Sequence, residues 1–203
     1  MPQNNKHLIT LIASATISAG GLTALKQHEG KRNVAYPDAG YGWKVATICY
    51  GHTKGVYKGM IASDAECDQT LLKDVRTHLQ GMAKCTTAPV TQNQLDAMLS
   101  FTFNVGVGAY CNSRLLRLHN LGKCYEAAME FNDAPQISNG RVKIYLGKPI
   151  VDRATGEVLL DRGDAVKKWT TSGGTPFAGL IKRRNYEREQ YESGCPIIEG
   201  ANG

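Results

Sequence analysis

Residues 27–53 of the 203-residue chain read QHEGKRNVAYPDAGYGWKVATICYGHT. The stretch joins a predicted helix to a predicted strand. Residues 18–29 form one amphipathic helix, which Ser18 is suited to cap. Residues 36–42 are rich in turn formers, and residues 44–50 carry the alternating and β-branched side chains that are typical of a strand.

Two carboxylates lie in this stretch in unlike surroundings. Glu29 ends the predicted helix, whereas Asp38 lies nine residues later in the turn YPDAG. Partial burial favours a protonated glutamic acid, while a solvated aspartate stays ionised. Glycoside hydrolysis uses such a pair, one group as general acid and the other to hold or activate the nucleophile. In a chain with 18 acidic residues, the spacing by itself does not single out this pair.

Outside this stretch the pattern is mainly helical. Capping boxes, apolar spacing and glycine stops delimit the helices. The predicted helices are 63–82 (capping box Ser63 and Glu66), the segment from Thr91 and Gln94 to Gly106, RLLRLHNL (capped by Asn112 or Ser113), CYEAAMEF and GLIKRRNYEREQYE. Residues 150–160 predict a hairpin that turns at Thr155 and Gly156. The class is therefore α+β with a helical majority.

Composition favours a globular protein with a polyanionic partner. The chain is 42% hydrophobic and has 24 Lys and Arg against 18 Asp and Glu, a formal charge of +6. This excludes disordered, collagen-like and coiled-coil classes and indicates one domain. Nucleic acid, an anionic membrane face and a bacterial wall polymer all fit the charge. The sequence has no helix-turn-helix motif, no RNP-like aromatic motif and no dense run of basic residues, so we expect no nucleic-acid partner.

The six cysteines predict disulfides in an oxidising compartment. None of them has zinc-finger spacing, so we expect no metal and no cofactor. Six buried reduced thiols are the alternative.

The N-terminus carries a weakly apolar segment, HLITLIASATISAGGLTAL, at residues 7–25. Its length just suffices to cross a bilayer, although small and polar residues fill more than half of it. A signal peptide cleaved after Ala19 and a plain amphipathic helix are the alternatives.

Three separated blocks resemble one protein family. HEGKRNVAYPDAGYGWKVATICYGHT resembles the catalytic stretch of the phage-type lysozymes, the endolysins of glycoside hydrolase family 24. QLDAMLSFTFNVGVGAYCNSRLLRLHNLGK is similar to the central helical block of that family, and GGTPFAGLIKRRNYERE to its C-terminal block. The resemblance covers residues 18–132 and 169–195. It implies a lysozyme-like α+β fold with a small β-containing lobe, a larger helical lobe and an active-site cleft between them.

The resemblance implies an endolysin that hydrolyses the β-1,4 bonds between N-acetylmuramic acid and N-acetylglucosamine in peptidoglycan and so lyses the host cell. Glu29 would be the general acid, and Asp38 with Thr47 would hold the attacking water. A catalytically inactive wall-binding or phage structural protein of the same fold is the alternative. The residues expected to contact substrate are His52, Phe103, Asn104 and Ser113.

Two features depart from the family pattern. The family's spacing after Asp38 would place Lys44 at the threonine position, and lysine cannot orient water as threonine does. The T-I-x-x-G-H continuation favours Thr47 and implies a longer loop at Gly40–Trp43. Residues 135–164 form an insertion with no counterpart in the family.

The N-terminal segment resembles a signal-anchor-release segment. We therefore expect residues 1–25 to overlap the start of a lysozyme domain at 18–203. The host would export the chain, and residues 7–25 would anchor it in the inner membrane with the enzyme facing the periplasm. The chain would later be released into the periplasm as a monomer. While residues 18–25 are in the membrane, Glu29 could not be placed for catalysis. Retention in the host cytoplasm until holin-mediated release is the alternative.

Element positions suggest how the cysteines pair. The expected disulfides are Cys49–Cys67, Cys85–Cys111 and Cys124–Cys195. Arg183 and Arg184 could meet acidic peptide stems, although a solvated helix face is the favoured interpretation.

Overall fold

The computed structural model describes residues 15–38, 40–131, 136–138, 141–144, 150–152, 158–160, 169, 171–172, 175–176 and 178–196. The chain divides into two compact units, which we call unit 1 (Met1–Cys85) and unit 2 (Thr86–Gly203).

The described elements of unit 1 are α1 (Ala19–Glu29), β1 (Arg32–Asp38), β2 (Gly42–Cys49) and α2 (Asp64–Ala83). The helices of unit 2 are α3 (Gln92–Val105), α4 (Val107–Cys111), α5 (Arg114–Asn120), α6 (Cys124–Ala128) and α7 (Ala178–Glu192). Its strands are β3 (Gln136–Ser138), β4 (Arg141–Ile144), β5 (Ile150–Asp152), β6 (Val158–Leu160), β7 (Thr171–Ser172) and β8 (Thr175–Pro176).

The first predicted helix is confirmed as α1. The Ser18 hydroxyl accepts the backbone N–H of Gly21 at 3.0 Å, which is the N-cap bond that the sequence suggests. Leu25 is fully buried, whereas Leu22 is half-buried. The helix ends where Gly30 adopts a φ of 67°, a value that glycine tolerates best. The last helical side chain is therefore held at a fixed point.

Helix α2 also begins and ends close to its prediction. Ser63 donates its backbone N–H to Glu66 Oε2 at 2.7 Å, and Glu66 returns its own N–H to Ser63 Oγ at 3.3 Å. The apolar side chains that recur with helical spacing along α2 are buried, and each contributes about 1.5–3 kcal/mol when fully removed from water. They are Cys67, Leu71, Val75, Leu79 and Met82.

A two-stranded antiparallel hairpin, β1–β2, follows α1. The sequence predicted β2 but not β1, and it placed turn residues from Tyr36 onward. Tyr36 instead pairs with Thr47, and Pro37 pairs with Ala46. The outer edge of β1 also bonds residues 60–62 through Asn33 and Ala35. Proline is tolerated at Pro37 because it lies beyond this pairing, near the end of an edge strand. Pairing with β2 thus overrides the local turn signal.

A bulge interrupts β2 before Thr47. Asp38 pairs with Gly42, whereas the preceding Pro37 pairs with Ala46. One step along β1 therefore spans four steps along β2, which leaves residues 43–45 without partners on β1. We call these residues the Trp43 bulge. The sequence suggested a longer loop at Gly40–Trp43 and no bulge, because a bulge has no local composition signal.

Unit 2 begins with a second confirmed capping box, on Thr91 and Gln94, at the start of α3. The helix ends at Gly106, as expected, and packs against α7. The short helix α4 was not predicted. Ser113, one of the two predicted caps, opens α5 by accepting the N–H of Leu116 at 3.1 Å.

The segment predicted to be an insertion forms a local sheet. Strands β3, β4, β5 and β6 pair antiparallel in chain order. The predicted hairpin corresponds to β5 and β6, which pair with each other. Its turn residues, Thr155 and Gly156, lie outside the described residues.

Helix α7 corrects the interpretation of its two arginines. Arg183 and Arg184 are 4% and 0% exposed, so they do not lie on a solvated face. Arg183 Nε is 3.0 Å from Glu187 Oε1, and Arg184 Nε is 2.7 Å from Glu187 Oε2. The Ser100 hydroxyl donates to Glu187 Oε1 at 2.6 Å. We call these four residues the buried ion cluster.

Two of the expected cysteine pairs are bonded in the structure. Cys49 joins Cys67 with Cα atoms 4.9 Å apart, and Cys124 joins Cys195 with Cα atoms 5.8 Å apart. Cys85 and Cys111 are also disulfide-bonded. Their mutual pairing stays a prediction.

Within the part of the chain that the structure describes, no helix combines the length and apolar character that a bilayer crossing requires. Residues 7–14 of the predicted anchor lie outside that part, and residues 19–25 belong to α1.

Candidate active site

Glu29 is the last residue of α1 and is half-buried. Its Oε2 atom lies 3.8 Å from the point that a Cβ atom on Gly51 would occupy. Gly51 has a φ of 88°, which strains any other residue. The glycine of the G-H pair therefore fits the turn backbone and keeps a side chain away from the Glu29 carboxyl group. The sequence showed this motif but not its contact with the acid.

The turn beside Glu29 is tightly closed. Ile48 and His52 exchange two backbone hydrogen bonds, each 2.9 Å long. Within the turn, Cys49 has a φ of 58°, an uncommon value for a residue with a side chain. This backbone costs about 1–2 kcal/mol and persists because the surrounding structure holds it. The Cys49–Cys67 disulfide ties the same residue to α2.

Ion pairs hold the end of α1 against α2. Lys26 Nζ lies 2.8 Å from Asp68 Oδ1, and the Tyr50 hydroxyl donates to the same oxygen at 3.1 Å. The bond to Asp68 raises the pKa of Lys26, and the bond from Lys26 lowers the pKa of Asp68. Solvent screens these partly exposed charges, so they fix position more than they add stability.

Asp38 lies at the end of β1, where its carboxylate closes the turn to β2. Its Oδ1 atom accepts the backbone N–H groups of Gly40, at 2.8 Å, and Tyr41, at 2.9 Å. These bonds, the one from Tyr41 first, lower the pKa of Asp38 below its ordinary value. The group is therefore ionised at neutral pH, as the sequence suggested for a solvated aspartate.

Thr47 lies in β2 opposite Tyr36 and is 6% exposed. Its hydroxyl donates a long hydrogen bond, 3.4 Å, to the carbonyl of Val45. The oxygen can still accept a hydrogen bond, and the hydroxyl can rotate toward a better acceptor. These properties suit a group that orients a water molecule.

His52 contacts two acceptors of unit 1. Its Nδ1 lies 2.8 Å from Asp74 Oδ2, and its Nε2 lies 2.9 Å from the carbonyl of Lys54. Both nitrogens bond only when both carry a proton. The ring thus connects the turn after β2 to α2, and contact with substrate stays a prediction.

Four of the candidate residues lie in unit 1. Glu29 is on α1, Asp38 and Thr47 are on the β1–β2 hairpin, and His52 is in the turn that follows it. The other candidates lie in unit 2. Phe103 is half-buried and Asn104 is exposed on α3, whereas the buried Ser113 hydroxyl donates to the Tyr110 carbonyl at 2.7 Å. Their roles toward substrate stay predictions.

Unit 1 has a helix that ends in glutamate and a small hairpin, and unit 2 is rich in helices. These features define a lysozyme-like α+β protein. The solved muramidase domain of SpmX from Asticaccaulis excentricus has this fold, with a TM-score of 0.62 and 26% identity over 87% of this chain and 97% of that domain. The phage lysozyme family model matches residues 26–146. The chain belongs to the phage lysozyme family.

Relatives include two kinds of endolysin. The endolysin of Bacillus phage B103 is 32% identical over 88% of this chain and 54% of that protein. The SAR-endolysin of Bacteriophage PS119 is 29% identical over 88% of this chain and 83% of that protein. The chain thus spans about half the length of the Bacillus phage endolysins that it matches.

Proposed function

We propose that this chain is an endolysin, a glycoside hydrolase that cleaves the β-1,4 bond between N-acetylmuramic acid and N-acetylglucosamine in bacterial peptidoglycan. The observation that carries the proposal is the placement of Glu29 beside Gly51, on the same unit as the ionised Asp38. Membership of the phage lysozyme family supports the substrate class. The formal charge of +6 favours encounter with an anionic envelope.

In the proposed reaction Glu29 donates a proton to the glycosidic oxygen as its bond to the anomeric carbon breaks. Asp38 and the Thr47 hydroxyl hold a water molecule, whose oxygen forms the new bond to that carbon. The water passes its proton to Asp38, so the products are two sugar ends and a regenerated enzyme after proton exchange. General acid catalysis of this kind contributes about 10²–10⁴-fold to the rate.

The proposal is tested by digesting purified sacculi in water enriched in ¹⁸O and analysing the fragments by mass spectrometry. We expect reducing N-acetylmuramic acid ends that carry one ¹⁸O atom. Anhydro ends would indicate intramolecular attack rather than hydrolysis. No fragment release would support the alternative of an inactive wall-binding or structural protein.

For the N-terminus, we propose a signal-anchor-release role for residues 7–25, with action in the periplasm as a monomer. The small residues of this segment support it, because little apolar area would hold them in a bilayer. The SAR-endolysin relatives also support it. Because α1 begins at Ala19, membrane insertion and formation of α1 would compete, and release would allow Glu29 to reach its position.

Fractionation of cells that produce the chain with and without residues 1–17 tests this role. We expect the full chain in the membrane and periplasmic fractions and the truncated chain in the cytosol. Equal cytosolic amounts of both would instead support release from the cytoplasm through a holin.

A further inference from the structure

The Trp43 bulge carries a large aromatic side chain that is partly exposed to solvent. Trp43 is 43% exposed and the neighbouring Tyr41 is 71% exposed. A bulge re-aims side chains and is common beside active sites. Exposed aromatic groups that are grouped together mark binding sites more often than isolated ones do.

Two contacts orient this surface before any ligand arrives. Lys58 Nζ lies 5.3 Å from the centroid of the Trp43 ring, a cation–π distance. The backbone N–H of Lys44 donates to the Tyr41 carbonyl at 3.3 Å, which closes the turn that leads into the bulge. A side chain held in advance loses less conformational entropy on binding.

The same surface is joined directly to a proposed catalytic group. The carboxylate of Asp38 accepts the N–H of Tyr41, two residues before Trp43. Trp43 therefore lies on the same β1–β2 hairpin as Asp38, the residue proposed to hold the attacking water. A ligand that contacts Trp43 would lie near that residue. Lys44, the next residue after Trp43, and Lys58, which contacts the Trp43 ring, are both exposed and add positive charge to this surface.

We propose that Trp43 stacks on a sugar ring of the peptidoglycan glycan strand, outside the two sugars whose bond is cleaved. This inference rests on the proposed function. The C–H face of a pyranose ring packs on an indole face, while the indole N–H can donate to hydroxyl or N-acetyl oxygens. The two lysines match the carboxylates of the stem peptides and, where the peptide has been removed, the free lactyl carboxylates.

Binding is measured without turnover in a Glu29→Gln, Trp169→Phe variant. Trp43 is one of two tryptophans, so this variant reports Trp43 fluorescence by itself. We expect peptide-free glycan strands to change its intensity in a saturable way. An anionic membrane is the other partner that suits tryptophan and lysine. A response to phosphatidylglycerol vesicles with none to glycan strands would overturn the proposal.

Kinetics on long glycan strands give the second measurement. We expect Trp43→Ala to raise KM about tenfold, since an aromatic contact contributes about that factor, with kcat within about twofold because the reacting groups are unchanged. Trp43→Phe should recover most of the affinity. The matched control is Tyr57→Ala, which removes another aromatic side chain, 66% exposed and outside the bulge.

The outcomes separate this proposal from the function on which it rests. Absence of hydrolysis by the wild type would refute the proposed hydrolase function. Saturable binding by the inactive variant would still support the proposal that Trp43 stacks on a sugar. An unchanged KM in a folded Trp43→Ala protein would overturn the stacking proposal and leave the hydrolase intact. Since the fluorescence measurement keeps Trp43, it decides the question even if Trp43→Ala misfolds.

Discussion

Glu29→Gln is expected to lower the initial rate of peptidoglycan hydrolysis by about 10²–10⁴-fold, the usual contribution of a general acid. The glutamine amide fills the space of the carboxyl group but has no acidic proton for the leaving oxygen. Glu29 is half-buried beside Gly51, and the isosteric change preserves the packing there. The rate of reducing-end release from purified sacculi is the measurement.

Asp38→Asn is the companion variant. An asparagine oxygen can still accept the N–H groups of Gly40 and Tyr41, so the turn should persist while the charge is lost. We expect a smaller loss of rate, because Thr47 would still hold the water. Both proteins should keep the wild-type circular dichroism spectrum. Hydrolysis by Glu29→Gln at the wild-type rate would show that another group supplies the proton.

The lowered pKa of Asp38 sets the pH range of this comparison. A carboxylate with a lowered folded pKa adds stability above its unfolded pKa and loses that contribution as the pH falls through the folded pKa. The hydrogen bonds from Tyr41 and Gly40 therefore keep Asp38 charged throughout the neutral range. At neutral pH, Asp38→Asn removes a charge that the wild type carries.

The sequence predicted those parts of the fold whose signals are local. Ser18, Ser63 and Thr91 each cap the helix that they were expected to cap, because a cap bond spans only three residues. Strand β1 was missed because its last three residues begin a stretch that is rich in turn formers and become part of a strand only by pairing with β2. The bulge was not predicted for the same reason, since register is a property of two strands.

For the site, the sequence indicated which residues to consider but not their surroundings. Gly51 follows Glu29 by 22 residues in the chain, and only folding brings it beside the Glu29 carboxyl group. His52 was identified as a candidate, yet its contacts with Asp74 and Lys54 need tertiary structure. Such contacts leave no periodic pattern in a sequence.

The buried ion cluster in unit 2 was also not predictable from the sequence, and we expect a change in it to have a large effect on stability. The charged sequence of α7 suggested a solvated face, whereas Arg183, Arg184 and Glu187 are all buried. Glu187 supplies the negative charge that both guanidinium groups contact. The Arg184 guanidinium also lies 4.8 Å from the Phe101 ring centroid, where cation–π attraction adds to the pair.

We expect Glu187→Ala to lower the free energy of unfolding by about 3–5 kcal/mol, the usual cost of leaving buried charges without their partner. That loss is a large part of the free energy of unfolding of a typical domain, which is about 5–15 kcal/mol. Chemical denaturation with the disulfides intact measures it. Glu189→Gln is the matched control, because Glu189 is exposed on the same helix and surface changes cost less than about 0.5 kcal/mol.

Glu187→Gln separates the charge from the shape. Its side chain keeps the volume of Glu187 and can still accept from Ser100, but both guanidinium groups then lose the charge of Glu187. A loss close to that of Glu187→Ala would show that the charge dominates, and a small loss would show that packing and the Ser100 bond dominate. If both variants unfold at the wild-type denaturant concentration, Glu187 does not stabilise this unit, and the buried arginines must be neutralised in another way.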